Sequence, residues 1–244
     1  MPAGKITFLG HASFKLETSD GKIAFVDPWW NENPLCPPEL KNPDAADLIL
    51  VTHGHGDHLD SDLPSVVKRT GAAVVAQAQV RMYLASLGVE GLEGMNKGGS
   101  MMVRGFKVTM TLAYHSAHIS SAQDTTGYTH EAIGYVLHTP DNLRVYFAGD
   151  TALFGDVALI GTLYKPHIAV LPIGDRVTMG PLEAAHAIRL LGVSHVIPMH
   201  YGLSPMFTGT PEALKEETRD IEGLSIHVLK PGETLDVSTL TFGD

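Results

Sequence analysis

The feature that most constrains this chain is a junction. The apolar run Leu48-Ile49-Leu50-Val51 passes directly into Thr52-His53-Gly54-His55-Gly56-Asp57-His58. A short, unbroken aliphatic run reads as a strand buried on both faces. Four potential ligands, His53, His55, Asp57 and His58, then follow within six residues. Gly54 and Gly56 let the backbone fold tightly and turn neighbouring side chains toward two nearby points. Imidazole with carboxylate is a donor set for zinc, and catalytic zinc sites keep a position open for water.

The rest of the chain supplies the scaffold. Residues 5–9, 14–17 and 23–26 read as short strands separated by Gly10-His11 and by Ser19-Asp20-Gly21, which are hairpin signals. A Pro- and Asn-rich loop fills residues 27–44. A helix is expected after Asp60-Ser61, one of the two acting as its cap. A strand at 73–76 and a helix at 77–87 follow. Strands are expected at 100–103, 106–112, 132–138, 143–147, 168–171 and 195–198, with helices at 181–191 and 211–218. Short strands at 225–229 and 234–237 close the chain. No linker or low-complexity segment interrupts residues 1–244, so one domain is expected: two sheets packed together with helices outside them, an α/β arrangement.

Charge and composition narrow the function classes. The formal net charge of −10 argues against a nucleic-acid backbone as partner, because phosphate contacts need clustered Lys and Arg. No run of 18 apolar residues is present, so no membrane span is expected, and the N-terminus does not read as a signal peptide. The single cysteine, Cys36, has no intrachain partner, and a cytoplasmic setting is the expectation. Nothing near Cys36 reads as its base. Thirteen histidines are present, and several are clustered.

The spacing His53-x-His55-x-Asp57-His58 resembles the signature of the metallo-β-lactamase superfamily, whose members share a four-layer αββα sandwich with metals at one edge. Further matching elements occur in order. His115 lies in Leu112-Ala113-Tyr114-His115-Ser116, with His118 as its competitor. Asp150 lies in Gly149-Asp150-Thr151, and His200 in Pro198-Met199-His200-Tyr201-Gly202. Gly10-His11-Ala12-Ser13-Phe14, Asp27-Pro28-Trp29 and Pro172-Ile173-Gly174 with Thr178-Met179 resemble the small ascorbate-phosphate-lactonase-like branch, the metal-dependent hydrolases. The chain is shorter than the sugar-lactone enzymes, so the resemblance carries no particular substrate.

The resemblance implies two divalent ions, zinc first, with manganese, nickel and iron also suited. His53, His55 and His115 would hold one ion, and Asp57, His58 and His200 the other, with Asp150 bridging. It further implies hydrolysis of a small ester, lactone or phosphodiester by a metal-bridging hydroxide, with Asp57 orienting it or taking its proton. His11 is a candidate substrate contact or proton donor, Asp27 a candidate acceptor for a ligand histidine, and Arg176 a candidate anion contact. Two alternatives stand beside this: a nuclease of the same superfamily, and a non-hydrolytic di-iron protein. A small-molecule substrate is expected, and a homo-oligomer is open, with Trp29-Trp30 either lining the pocket or buried in an interface. His138, His167, His195 and His227 beside strands, His186 in a helix and His130 in a Gly/Thr-rich loop read as structural or surface residues. Met101-Met102 and the other methionines read as core filler.

Overall fold

The run at residues 48–51 divides its side chains between two cores. Leu48 and Leu50 face one, Ile49 and Val51 the other, and all four are fully buried. Strand side chains alternate with a period of two, so this strand has packed layers on both faces. The computed structural model describes residues 2–119 and 129–242.

One sheet contains β1 (Lys5–Gly10), β2 (Ser13–Glu17), β3 (Ile23–Val26), β4 (Leu48–Leu50), β5 (Ala73–Ala76), β6 (Leu92–Gly94) and β14 (Thr234–Asp236), in the order β14-β1-β2-β3-β4-β5-β6. The other contains β7 (Ser100–Val103), β8 (Phe106–His118), β9 (Thr129–His138), β10 (Arg144–Phe147), β11 (Ile168–Pro172), β12 (His195–Met199) and β13 (Ser225–Ile226), in the order β13-β12-β11-β10-β9-β8-β7. Both sheets are mixed: antiparallel hairpins lead into parallel strands from β3 to β6 and from β10 to β13.

Three cores define four layers. The central core lies between the sheets and is built by Phe14, Leu50, Phe106, Phe147 and Ile197 among others. The second packs α1 (Leu63–Thr70) and α2 (Ala78–Ser86) on the outer face of the first sheet through Leu63, Val66, Val80 and Leu84. The third packs α3 (Val157–Tyr164), α4 (Pro181–Leu191) and α5 (Pro211–Glu217) on the outer face of the second, through Ile160, Ala184, Ile188 and Leu214. This is the αββα sandwich. Among the described residues no helix is long and apolar enough to cross a membrane.

Several local expectations are corrected. The N-cap of α1 is Asp62, without a side-chain cap bond, rather than Asp60 or Ser61. Asp60 is occupied elsewhere: its carboxylate accepts the backbone N–H groups of Trp30 and Asn31, each at 2.7 Å, and clamps the long loop. Ser61 donates to Glu32. β8 does not stop at Leu112 but continues to His118. His130 lies in β9, not in a loop; the Gly/Thr-rich residues 125–128 before it fall outside the described residues. α3 and β6 were not expected. Met102 is 66% exposed on β7, a strand at the sheet edge, and fills no core. Trp29 and Trp30 are buried within the chain.

Candidate metal centre

Pairing directions bring the functional loops to one edge. β1 and β3 both run antiparallel to β2, and β3 runs parallel to β4. Their carboxyl ends therefore coincide, and these ends carry His11, Asp27 and the loop 52–58. In the second sheet β8, β10 and β12 run the same way by the same logic. They deliver His115, Asp150 and His200. Carboxyl-terminal strand ends are where open α/β sheets place their ligands.

His115 is presented by an irregularity within β8. Leu112 pairs with Ile133 and Ser116 with Glu131, so three residues on β8 oppose one on β9. A bulge of this kind re-aims side chains, and His115 sits in it. The Gly149 turn before Asp150 needs glycine: its φ is +63°, and a Cβ there would lie 2.6 Å from the Ile133 carbonyl oxygen.

The side chains converge in three overlapping groups whose ligand atoms lie within 4.8 Å of one another: His53, His55 and His115; His11, Asp57, His58 and His200; and His53, His58 and Asp150. Asp150 stands between the first two. Its carboxylate lies 3.9 Å from His53 Nε2, 3.3 Å from His58 Nε2, 3.7 Å from His115 Nε2 and 3.1 Å from His200 Nε2. His118 is exposed, with its ring 4.8 Å from that of His55; the compact groups contain His115 and not His118.

A second layer orients these imidazoles. Asp27, buried and at φ +48°, accepts from the Thr52 N–H at 2.7 Å and the Thr52 hydroxyl at 2.8 Å, and lies 2.9 Å from His58 Nδ1. Thr52 Oγ1 is in turn 3.0 Å from His53 Nδ1. Because the hydroxyl donates to Asp27, it accepts from His53. Both histidines therefore carry a proton on Nδ1 and turn Nε2 toward the centre, the orientation that ligand histidines need. Sequence reasoning found Asp27 but missed Thr52.

Burial and charge set the protonation. Burial holds His53 well below the ordinary histidine range, and the neighbouring His58 adds to this. Burial, with His115 beside it, lowers His55 to about 4. Burial opposes a proton on His58, but Asp150, Asp27 and Asp57 outweigh it and raise His58 well above the ordinary range. Burial likewise opposes the charge on Asp150, yet His58 and His200 hold it well below the usual carboxylate range.

The donor set fits a metal. His58 Nε2, His115 Nε2 and Asp150 Oδ1 are buried and complete no hydrogen bond. Buried polar atoms are normally satisfied, and the three residues all belong to the overlapping donor groups. The cluster could hold metal ions. Asp57, at 32% side-chain exposure, is its open member, whereas His58, Asp150 and His200 are at 3% or less.

His11 belongs to the second of these groups, and the other candidates fall outside the cluster. His11 is fully buried, with Nε2 3.0 Å from Asp57 Oδ2. Trp29 meets the His11 ring edge-on at 5.7 Å. Arg176 is exposed, at φ +46°, beside Val177, whose carbonyl accepts from His115. Cys36 is buried, which pushes its thiol up to about 11 and leaves no nucleophile. His195 is 3.0 Å from His227 and 2.9 Å from the Thr241 carbonyl, a structural network away from the centre. His186 is exposed on α4.

The fold and the site define a metal-dependent hydrolase of the metallo-β-lactamase type. Residues 24–201 match the family model described as the beta-lactamase superfamily domain. The chain is 50% identical over 232 residues to the UPF0173 metal-dependent hydrolase of Rubrobacter xylanophilus, a match covering 95% of this chain and 96% of that one. The chain belongs to the UPF0173 metal-dependent hydrolases of the beta-lactamase superfamily. Among solved structures it is similar to Igni18, a metallo hydrolase from Ignicoccus hospitalis, with TM-score 0.82, 33% identity, and coverage of 96% of this chain and 98% of that one. It also superposes on CmlA, a diiron beta-hydroxylase from Streptomyces venezuelae, with TM-score 0.71, 15% identity, and coverage of 97% of this chain and 55% of the other; this last likeness shows the fold alone.

Proposed function

We propose that the chain hydrolyses a small ester, lactone or phosphodiester at a centre of two divalent ions, zinc in the first instance. The observation that carries this reading is the convergence of eight potential donors, His11 among them, with His58 Nε2, His115 Nε2 and Asp150 Oδ1 unsatisfied. His53, His55 and His115 would hold one ion and Asp57, His58 and His200 the other, with Asp150 near both groups. When bound, the ions supply a shared water of lowered pKa as nucleophile and polarise the scissile carbonyl or phosphoryl oxygen.

The chain's own residues do the rest. Asp27 and Thr52 fix the tautomers of His58 and His53. Asp57, the half-buried carboxylate, orients the attacking water and takes its proton. His11 holds Asp57 by donating Nε2–H to it. The formal charge of −10 disfavours a polyanionic substrate and supports a small molecule.

The test is to measure bound metal and turnover on a panel of lactones, phosphodiesters and β-lactams for wild type, His55→Ala and Asp57→Ala. Loss of metal in the first and a fall of about 10²–10⁴ in rate in the second are expected. Unchanged metal content and rate in both variants would sink the proposal.

A further inference from the structure

His130 lies outside the ligand set, yet it touches the metal loop at its centre. It is 7% exposed on β9. Its Nε2 accepts the backbone N–H of Gly54 at 3.0 Å. Two residues earlier in the loop, the Thr52 carbonyl accepts the Ile133 N–H of the same strand at 3.2 Å. His53 is thus bracketed by two hydrogen bonds to β9, and His55 follows directly. Gly54 is seated without room for a side chain: a Cβ would lie 2.7 Å from Ile119 Cδ1, 3.0 Å from His130 Cε1 and 3.2 Å from the His118 carbonyl oxygen. These neighbours belong to the end of β8, to β9, or to the residue just past β8. The β8 bulge also presents His115.

We infer that His130 is a positioning residue: its Nε2 lone pair fixes the Gly54 amide and so sets His53 and His55 against His115. One hairpin thereby supplies one member of this triad and aligns the other two. Asp27 and Thr52 contact the imidazoles of His58 and His53, whereas His130 contacts the backbone N–H of Gly54, so the two do not duplicate one another. Outer-layer partners of metal ligands are worth about 10- to 100-fold in metal affinity, and a partner acting through the backbone belongs in that range. The inference rests on the two-ion reading above.

The test is a Co2+ titration of the purified full chain, followed by visible absorption, on wild type, His115→Ala, His130→Leu, His130→Asn and His130→Gln. A Gln amide oxygen reaches the position of Nε2, whereas Asn is equally polar but too short. The expected result is two binding steps in wild type. The step that His115→Ala removes is weakened about 10- to 100-fold in His130→Leu and His130→Asn. The other step stays within about threefold, and His130→Gln restores both. His130→Asn decides the matter if His130→Leu does not fold. Wild-type affinity at both steps in Asn, or equal weakening of both steps in Asn and Gln alike, overturns the inference. If wild type takes up no Co2+, the two-ion reading fails and the inference with it.

Discussion

The backbone N–H of His200 donates to the carbonyl of His11 at 2.9 Å, and the two imidazoles lie 4.0 Å apart. His11 follows β1 in one sheet and His200 follows β12 in the other, so this pair joins the two sheets at the edge that carries the centre. Both residues adopt left-handed backbone conformations, with φ of +59° and +58°. Such conformations cost on the order of 1–3 kcal/mol each and persist where surrounding structure over-determines them. Asp27, at φ +48°, is the third such residue in the cluster.

The His11–Asp57 bond predicts a split between metal content and rate. His11→Asn tolerates the positive φ but is too short to reach Asp57. Turnover is expected to fall about 10²-fold, with metal content unchanged. Metal analysis beside steady-state kinetics checks this. A loss of one ion per chain would instead make His11 a ligand.

Asp27→Asn tests the tautomer argument. The amide presents an N–H where His58 Nδ1 now donates, so His58 must move its proton to Nε2 and lose the lone pair facing the centre. Metal affinity is expected to fall about 10- to 100-fold. Competition against a chromophoric chelator measures it, and an unaltered affinity would rule out the role of Asp27.

Metal removal is expected to destabilise the chain. An ion present at 100 times its Kd stabilises by about 2.7 kcal/mol, worth about 5–10 °C in Tm at this size. Calorimetry before and after dialysis against a chelator reads the difference. Equal Tm values would mean that no ion is bound in the folded protein.

A pH effect independent of the centre is expected at His167. Its Nδ1 accepts the Arg144 N–H at 3.1 Å. Burial first, then Arg144 and two neighbouring histidines, lower it from 6.5 to about 4. Between these values the unfolded chain binds the proton and the folded chain does not, so stability falls as pH drops from about 6.5 toward 4. His167→Asn keeps an acceptor and cannot protonate. Metal-free urea midpoints at pH 7 and pH 4.5 should therefore fall less in the variant than in wild type.

Gly161 in α3 packs against the end of α4, where a Cβ would lie 2.3 Å from the Leu191 carbonyl oxygen. The contact is with backbone, so Gly161→Ala must displace a helix. A loss of about 1–3 kcal/mol is expected with kcat unchanged, since neither helix carries a cluster residue. Equilibrium denaturation with a parallel rate assay checks both halves.

The four-residue cluster was legible because its ligands are close in sequence and chemically distinctive. The order of strands was legible from apolar runs between turn residues. α3 was not, because Val157-Ala158-Leu159-Ile160-Gly161-Thr162-Leu163-Tyr164 has no polar face and so no helical period to read. The roles of Thr52 and His130 were also hidden. Thr52 acts through a residue 25 positions away and His130 through one 76 positions away, and neither separation leaves a local pattern. The bulge at His115 depends on pairing with β9, which residues 106–112 alone do not announce.

The hydrogen bond between His11 and His200 has a consequence for how the molecule is made. One sheet supplies His53, His55, Asp57 and His58, and the other supplies His115, Asp150 and His200. A chain still being synthesised owns the first set long before the second exists. On the two-ion reading proposed above, neither half alone would complete either three-residue set, so tight capture of the ions would wait until the sheets had docked. An ion held there would act as a rivet through the finished sandwich, and its uptake would mark the end of folding rather than its beginning.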